Sequence, residues 1–490
     1  MHSSFSSLDW FVFALYFVLL LVSSILLSRT KIQTSRDFFV GSNSMGMLFV
    51  AISVVATSQS AATFLGAPEY SYRGDLTYIG FYISSFLAVL FISYVLIPRF
   101  YAIKAMTVYE LLTNRYGQGA SQYAGIMFLV GRLFASGARL YIAALAVSMI
   151  IFSDIAALHV AISILTLMIA ALAYTYFGGV KSVILSDTIQ AVTYVSAGVA
   201  VLYFLYSSLG LDMQTILSKL ANEQKLKLFD LSLDGSFNLL SLLTGWFLLN
   251  VAAYGLDQDM AQRLLSCKDE KEAKRSLIYS ILFTVPVVVL FLAIGLLLYL
   301  FYQDATLSQS FQGESVTIFM YYILNEMPSG LRGFITVGAI AAALSSTNSV
   351  LGAMSSVAVE DIYRPFVEKR VRSYSNYHFV RVGRLMIVIF AILLSLMALL
   401  SYYWQQYTNL PLLSFALGVM AFSYSGLLGV YISALFTKRG SQKSVLFALI
   451  GGFLMVLLLQ PYIFGFNLGF AWQIVIGTLV SFVIMQSSKQ

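Results

Sequence analysis

The sequence predicts an all-α integral membrane protein with about thirteen transmembrane helices, and three observations carry that prediction. Of 490 residues, 59% are hydrophobic and 10% charged, whereas an average soluble domain is about 25% charged. The apolar residues gather into runs of roughly 20, the length that spans a bilayer as helix. The basic residues concentrate in alternate connections, as membrane topology requires. The formal charge of +7 therefore reports orientation and does not call for a nucleic-acid partner.

Taken in order, the apolar runs cover residues 8–29, 46–70, 76–103, 121–152, 157–178, 183–209, 236–257, 276–303, 330–358, 380–403, 411–436, 443–462 and 467–486. The first follows MHSSFSSLDW, which lacks a basic leader, and it is too long for a signal-peptide core, so it reads as a retained span. An odd number of spans puts the termini on opposite sides. With the N-terminus outside and the C-terminus cytoplasmic, the cytoplasmic face takes Arg29, Lys31, Arg36, Arg99, Lys104, Arg115, Lys181, Arg263 and Lys489. It also takes the basic runs 268–275, 364–372, 381–384 and 438–443. Only Arg73, Lys219, Lys225, Lys227 and Arg332 remain outside. The longest connections, near 210–235 and 304–329, are too short to fold alone, so function is expected inside the membrane. Cys267 has no disulfide partner, and three scattered histidines offer no metal-ligand spacing.

Polar residues inside spans are costly and mark candidate sites. In SVVATSQSAATFLGAPEY, residues 53–70, six hydroxyl or amide side chains crowd mid-span: Ser53, Thr57, Ser58, Gln59, Ser60 and Thr63. Either this is a packing helix rich in serine and threonine, or it unwinds beside a cavity, freeing carbonyls for a cation and amides for a substrate. In GAIAAALSSTNSVLGAMSS, at about 100° per residue, Ser345, Asn348 and Ser349 share one helix face, with Ala342 a turn earlier and Ser346 at the edge. Small-residue helix packing explains an isolated serine pair; this density of oxygens suits a hard cation such as Na⁺. Asp187, two turns into the sixth span, is either a carboxylate at a helix start or the charged member of a cation site. Arg132 and Arg139 in VGRLFASGARLYIAAL lie seven residues apart on one face. They are either paired with buried acids or positioned to capture a substrate carboxylate. Asp187 and Glu69 are the acids expected at their depth, which leaves at least one arginine without a protein partner.

These stretches together, with SRDFFVGS, TVYELLTNRYG, FGGVKSVILSDTIQ, LDQDMAQRLLSCKDEKEAKRS and AAALSSTNS followed by DIYRP, resemble the sodium:solute symporter family. The resemblance implies a leucine-transporter-like core of two inverted five-helix repeats with discontinuous helices. On this chain residues 1–45 would hold the first helix and a loop, 46–210 and 211–437 the two repeats, and 438–490 two added helices. It implies a main Na⁺ site from the carbonyls of Ala56, Gln59 and Ala342 with the hydroxyls of Ser345 and Ser346. A second Na⁺ in some members would match Asp187, Ser345, Asn348 and Ser349, although Asn348 stands where those relatives carry serine. Substrate contacts would fall on Ser58, Ser60, Thr63, Tyr82, Asn250 and Tyr254, with Arg132 or Arg139. Where sugar transporters of the family place an aromatic gate, this chain has Ala253.

The function expected is Na⁺-coupled import of a small organic solute by alternating access, with a carboxylate-bearing solute (amino acid, monocarboxylate or sialic acid) ahead of a neutral sugar or polyol. Expected partners are the solute, Na⁺ and the lipid bilayer, with no nucleic acid and a monomeric functional unit. The expected location is the plasma membrane, as in a bacterial inner membrane. A membrane enzyme is disfavoured because no HExxH, GxSxG or paired acids lie within a span. A sensor is disfavoured because the chain ends at SSKQ without a cytoplasmic domain, and a channel because a broken helix facing a serine stripe makes a closed site better than a continuous pore.

Overall fold

The computed structural model describes residues 5–27, 32–152, 154–231, 237–302, 310–311, 314–315, 318–370, 374–408, 412–465 and 468–488. Arg29, Lys31, Arg372 and Lys489, assigned above to the cytoplasmic side, lie outside them, as do the edges of five expected spans at 28–29, 236, 303, 411 and 467. The described chain is almost entirely helical. Its main helices are α1 (Ser7–Leu27), α2 (Met47–Ser58), α3 (Ala61–Arg73), α4 (Ile79–Ala102), α5 (Gln118–Phe152), α6 (Ala157–Leu209) and α7 (Leu239–Leu256). They are followed by α8 (Gln258–Leu265), α9 (Glu270–Tyr302), α10 (Leu331–Val357), α11 (Asn376–Thr408), α12 (Leu412–Phe436), α13 (Gln442–Leu458) and α14 (Phe470–Gln486). Among the described residues, eight helices are long and apolar enough to cross a membrane, and α2 with α3 forms a ninth candidate bent by 61°. The shorter apolar helices Ser7–Ser23, Ala157–Ala173, Gln442–Leu458 and Phe470–Gln486 coincide with the remaining expected runs.

Two interruptions occur where the sequence carries residues that leave the helix cheaply. The chain extends at Gln59 (φ −88°, ψ 103°) and Ser60 (φ −102°, ψ 173°) between α2 and α3, so the expected unwinding mid-span is observed. Within α6, Gly179 adopts φ 59° and ψ −163°, a conformation that glycine reaches at little steric cost. This kink falls at the junction expected between spans 157–178 and 183–209.

The site is framed by α10, which packs along the second half of α6 and against α2, α3 and α5. Their close approach depends on Gly338, where a Cβ would sit 2.5 Å from that of Ala197. Asp9 in α1 anchors the start of α10, its Oδ1 accepting from the N–H groups of Gly330 and Gly333 at 2.8 Å each. Such an acid at a helix N-terminus satisfies donors that have no intrahelical acceptor.

A Cβ at Gly179 would lie 2.6 Å from the carbonyl oxygen of Phe38, whereas Gly210, with a similar φ of 60°, has nothing within 4 Å. Gly210→Ala should therefore cost only the left-handed backbone strain, about 1–2 kcal/mol, and Gly179→Ala clearly more. Thermal denaturation of the detergent-solubilised variants checks the order; equal effects would mean that the short helix carrying Phe38 yields freely.

Candidate functional site

The break between α2 and α3 is built from backbone. Extended residues at 59 and 60 take the N–H groups of Ser60 and Ala61 out of line with the carbonyls of Ala56 and Thr57, four residues back. Thr57 and Ser58 use their hydroxyl protons locally, donating to the carbonyls of Ser53 at 2.8 Å and Val55 at 2.9 Å. Tyr82 of α4 lies against the Gln59 side chain and Tyr254 of α7 against that of Ser58. Gln59 Oε1 is buried with no hydrogen-bond partner among the described residues. Ser60 and Thr63 are buried at the start of α3.

Facing this break, α10 presents the serine stripe. Ser346 donates to the carbonyls of Ala343 at 3.0 Å and Ala342 at 3.3 Å, and Ser349 to that of Ser346 at 2.9 Å. Ser345 donates to Asp187 Oδ1 at 2.7 Å. A hydroxyl that has given its proton backwards offers only lone pairs forwards, which is the polarity a cation needs. Asp187 also accepts from Ser53, so one carboxylate joins α2 to α10 across α6. Asn348 is fully buried, and neither its amide nitrogen nor its oxygen has a hydrogen-bond partner among the described residues.

The arginines correct two expectations. Arg263, assigned above to the cytoplasmic face, is 1% exposed. Its Nη2 bonds Asp187 Oδ2 at 2.9 Å and its Nε donates to Ser53 Oγ at 2.7 Å. Asp187 therefore has a protein counter-ion. Arg132 is also paired: Nη2 lies 3.0 Å from Asp257 Oδ1 and 2.8 Å from Asp259 Oδ2. Asp187 and Glu69 are thus not the only acids at this depth, and Arg132 has no unmet need for a substrate carboxylate. Glu69 is held by Arg73 and by the N–H of Ile318 at 2.8 Å.

The missed residues sit on α8. Span seven ends at Asp257, whose extended backbone (φ −87°, ψ 121°) begins α8. Every residue of α8 is buried, so what resembled a polar connection is an inserted helix. Asp259 and Arg263, one turn apart, pair at 3.0 Å, and Tyr424 of α12 donates to Asp257 at 2.5 Å. The signal available in the sequence was the i,i+4 acid–arginine spacing in DQDMAQR.

Arg139 differs from Arg132. It contacts Met420 Sδ at 2.9 Å and has no carboxylate partner among the described residues. It lines one cavity with Ser136, Ser346 and Thr347. The structure therefore unites Arg139 with the serine stripe, Ser58 with Tyr254 and Gln59 with Tyr82. Asn250, expected at the substrate, is engaged by the protein, accepting from Ser85 at 2.9 Å and donating to the Trp246 carbonyl at 2.9 Å.

A membrane helix broken beside an oxygen-rich helix is the arrangement that ion-coupled transporters use to hold ions and substrate. The model of the sodium:solute symporter family matches residues 38–452, and the chain belongs to that family. It is a sodium-coupled symporter of a small solute. The sodium/sialic acid symporter SiaT of Proteus mirabilis is 27% identical over 97% of this chain and 93% of its own length. The human sodium/iodide cotransporter is 26% identical over 92% of this chain and 69% of its own. Mouse sodium-coupled monocarboxylate transporter 2 is 28% identical over 74% and 58%, respectively. Among solved structures, a Na⁺-coupled sialic acid symporter in a substrate-bound, outward-open state has a TM-score of 0.82 at 23% identity, covering 99% of this chain and 98% of that one. The hydantoin-bound, closed nucleobase-cation symporter Mhp1 has a TM-score of 0.56 at 13% identity, covering 91% and 92%. Both likenesses bear on fold.

Removing Arg132 would strand Asp257 and Asp259 in the core, so Arg132→Gln should destabilise the protein by about 3–5 kcal/mol. Arg139→Gln strands no acid and should cost no more than about 1 kcal/mol. Comparing folded yield and thermal midpoint separates the two; a similar loss in both would make Arg139 structural.

Proposed function

We propose that this protein imports a small carboxylate-bearing solute, such as an amino acid, a monocarboxylate or a sialic acid, together with Na⁺. The observation that carries this reading is Arg139, a guanidinium without an acid partner among the described residues, on the same cavity as Ser346. An unpaired arginine at this depth costs several kcal/mol, and a planar carboxylate bound by its fork offsets that cost. The substrate would rest against the break, with Ser58, Ser60, Thr63, Tyr82 and Tyr254 as its further contacts. Na⁺ would be held by the carbonyls of Ala56, Gln59 and Ala342 and the hydroxyls of Ser345 and Ser346, a neutral set of hard oxygens suited to it. Ion binding stabilises the outward-open arrangement, raises solute affinity by a coupling of about 1–3 kcal/mol, and both cargoes leave inward.

The wider reading follows the family. Of thirteen spans, ten form two inverted repeats over 46–210 and 211–437 and three are additions, with the N-terminus outside, the C-terminus cytoplasmic and a plasma-membrane location as in a bacterial inner membrane. The functional unit is one chain, with transport and no catalysis as its activity, and no nucleic acid takes part. The described ion pairing of Arg263 with Asp187 favours one coupling ion. The unpartnered Asn348 amide favours the alternative, a second Na⁺ held with Asp187, Ser345 and Ser349. A Hill coefficient near 1 for Na⁺ supports the first, and one near 2 that falls toward 1 in Asp187→Asn supports the second.

In proteoliposomes, inward Na⁺ gradients should drive uphill accumulation of one of pyruvate, proline or N-acetylneuraminate, and K⁺ should not replace Na⁺. A channel could not concentrate solute. Ser345→Ala and Ser346→Ala should each raise half-saturating Na⁺ about fivefold or more, the equivalent of roughly 1 kcal/mol. Arg139→Lys keeps charge but loses the fork, so solute affinity should fall about tenfold, or 1.4 kcal/mol. Accumulation of glucose, unaffected by Arg139→Lys, would overturn the carboxylate assignment.

A further inference from the structure

Five buried charges around the site, Asp187, Arg263, Asp259, Arg132 and Asp257, form one connected chain. At the sodium end, Ser345 bonds Asp187 at 2.7 Å and Asp187 bonds Arg263 at 2.9 Å. Arg263 then bonds Asp259 at 3.0 Å, and Asp259 bonds Arg132 at 2.8 Å. At the far end Arg132 meets Asp257, Asp257 accepts from Tyr424, and Tyr424 lies one turn along α12 from Met420, which touches Arg139. The two ends are the two proposed cargo sites. Among these linked charges Asp259 alone touches both Arg132 and Arg263, so continuity of the charged route depends on it, while Ser346, on the Arg139 cavity, gives the two sites a separate direct neighbour.

The charge count gives this chain a purpose. Within this cluster Asp187, Asp257 and Asp259 oppose Arg132, Arg263 and the half-buried Arg139, so the cluster is balanced when empty. Sodium alone would leave a buried positive charge and a carboxylate alone a buried negative one, whereas the pair restores balance. Charges this poorly solvated interact strongly over several ångströms, and hydrogen bonds in a chain polarise one another. A cation pulling on the Ser345 oxygen strengthens its bond to Asp187 and loosens the hold of Asp187 on Arg263. Arg263 then draws on Asp259, and Arg132 shifts its share toward Asp257.

We propose that Asp259 is a positioning residue for coupling, transmitting sodium occupancy at the serine stripe to the cavity around Arg139. This rests on the sodium and Arg139 assignments above. The role needs no contact with either cargo and is distinct from holding α8 in place.

The test reads the Arg139 cavity without any solute. Ser136 lines that cavity, and the native Cys267 is buried, so Ser136→Cys supplies a reporter with low background. Its alkylation rate by N-ethylmaleimide is measured in saturating Na⁺ and in K⁺, alongside the sodium-dependent thermal shift of the same sample. In the otherwise native chain sodium should change the rate about fivefold or more, the lower end of ordinary coupling. With Asp259→Asn the sodium thermal shift should persist and the rate change should fall below about twofold; Asp259→Glu should restore it. Tyr424→Phe, which removes one hydroxyl and should fold whether or not Asp259→Asn does, should reduce the rate change at least about twofold. Absence of any sodium thermal shift in the native chain would sink the sodium reading. A thermal shift without a rate change, or a full rate change in Asp259→Asn or Tyr424→Phe, would overturn the coupling role alone.

Discussion

The ion pairing on α8 is the constraint on which the rest of this structure depends. A charge in the apolar interior of a membrane protein must find a partner at hydrogen-bond distance or lose several kcal/mol. Asp257 at the N-cap of α8 and Asp259 and Arg263 within it together reach four walls of the core: α12 and α5 from Asp257, α5 again from Asp259, α2 and α6 from Arg263. These walls cannot slide independently without parting a buried pair. The serine stripe is positioned by the same rule, since Ser345 and Ser53 reach α6 through Asp187.

The backbone breaks obey a related constraint. A helix in a bilayer satisfies its own amides and carbonyls, so it can open only where protein or cargo completes them. The break at Gln59–Ser60 lies beside Tyr82, Tyr254 and the stripe of α10; the break at Asp257 is closed by Asp257 itself, which accepts from the N–H of Asp259 at 2.9 Å. Gln258 completes the surroundings, its amide exchanging bonds with the N–H of Val108 at 3.0 Å and the carbonyl of Met106 at 2.9 Å. One break is sealed by side chains, and the other leaves the carbonyls of Ala56 and Thr57 without their intrahelical donors.

Much of this was legible in the residues. Apolar run length located the helices, because hydrophobic burial over about 20 residues leaves no alternative to spanning. The break at residues 59–60 was legible because six polar side chains cannot all face lipid. What the sequence hid was pairing across distance. Counting charges by loop assigned Arg263 to an exposed connection, since the one local signal, the i,i+4 acid–arginine spacing in DQDMAQR, is equally at home on an exposed helix. Asn250 looked like a ligand because its chemistry suits one; only the positions of Ser85 and Trp246 show that it is already engaged. Asp187 was recognised as special, but its partner lies 76 residues away and no periodicity connects them.

The contrast between Arg132 and Arg139 carries the argument furthest. Both lie on one face of α5 and both are arginines, Arg132 buried and Arg139 half-buried, yet the protein supplies two carboxylates to one and a thioether to the other. A sulfur is a weak acceptor, so the bond to Met420 leaves most of the Arg139 charge uncompensated. Evolution can remove such a cost with a single acidic substitution on α10 or α11, each of which lines the cavity. Where an unpaired charge is retained beside a cavity, binding energy withheld from the empty protein becomes available to whatever anion enters, and differential affinity of that kind is what a transport cycle requires.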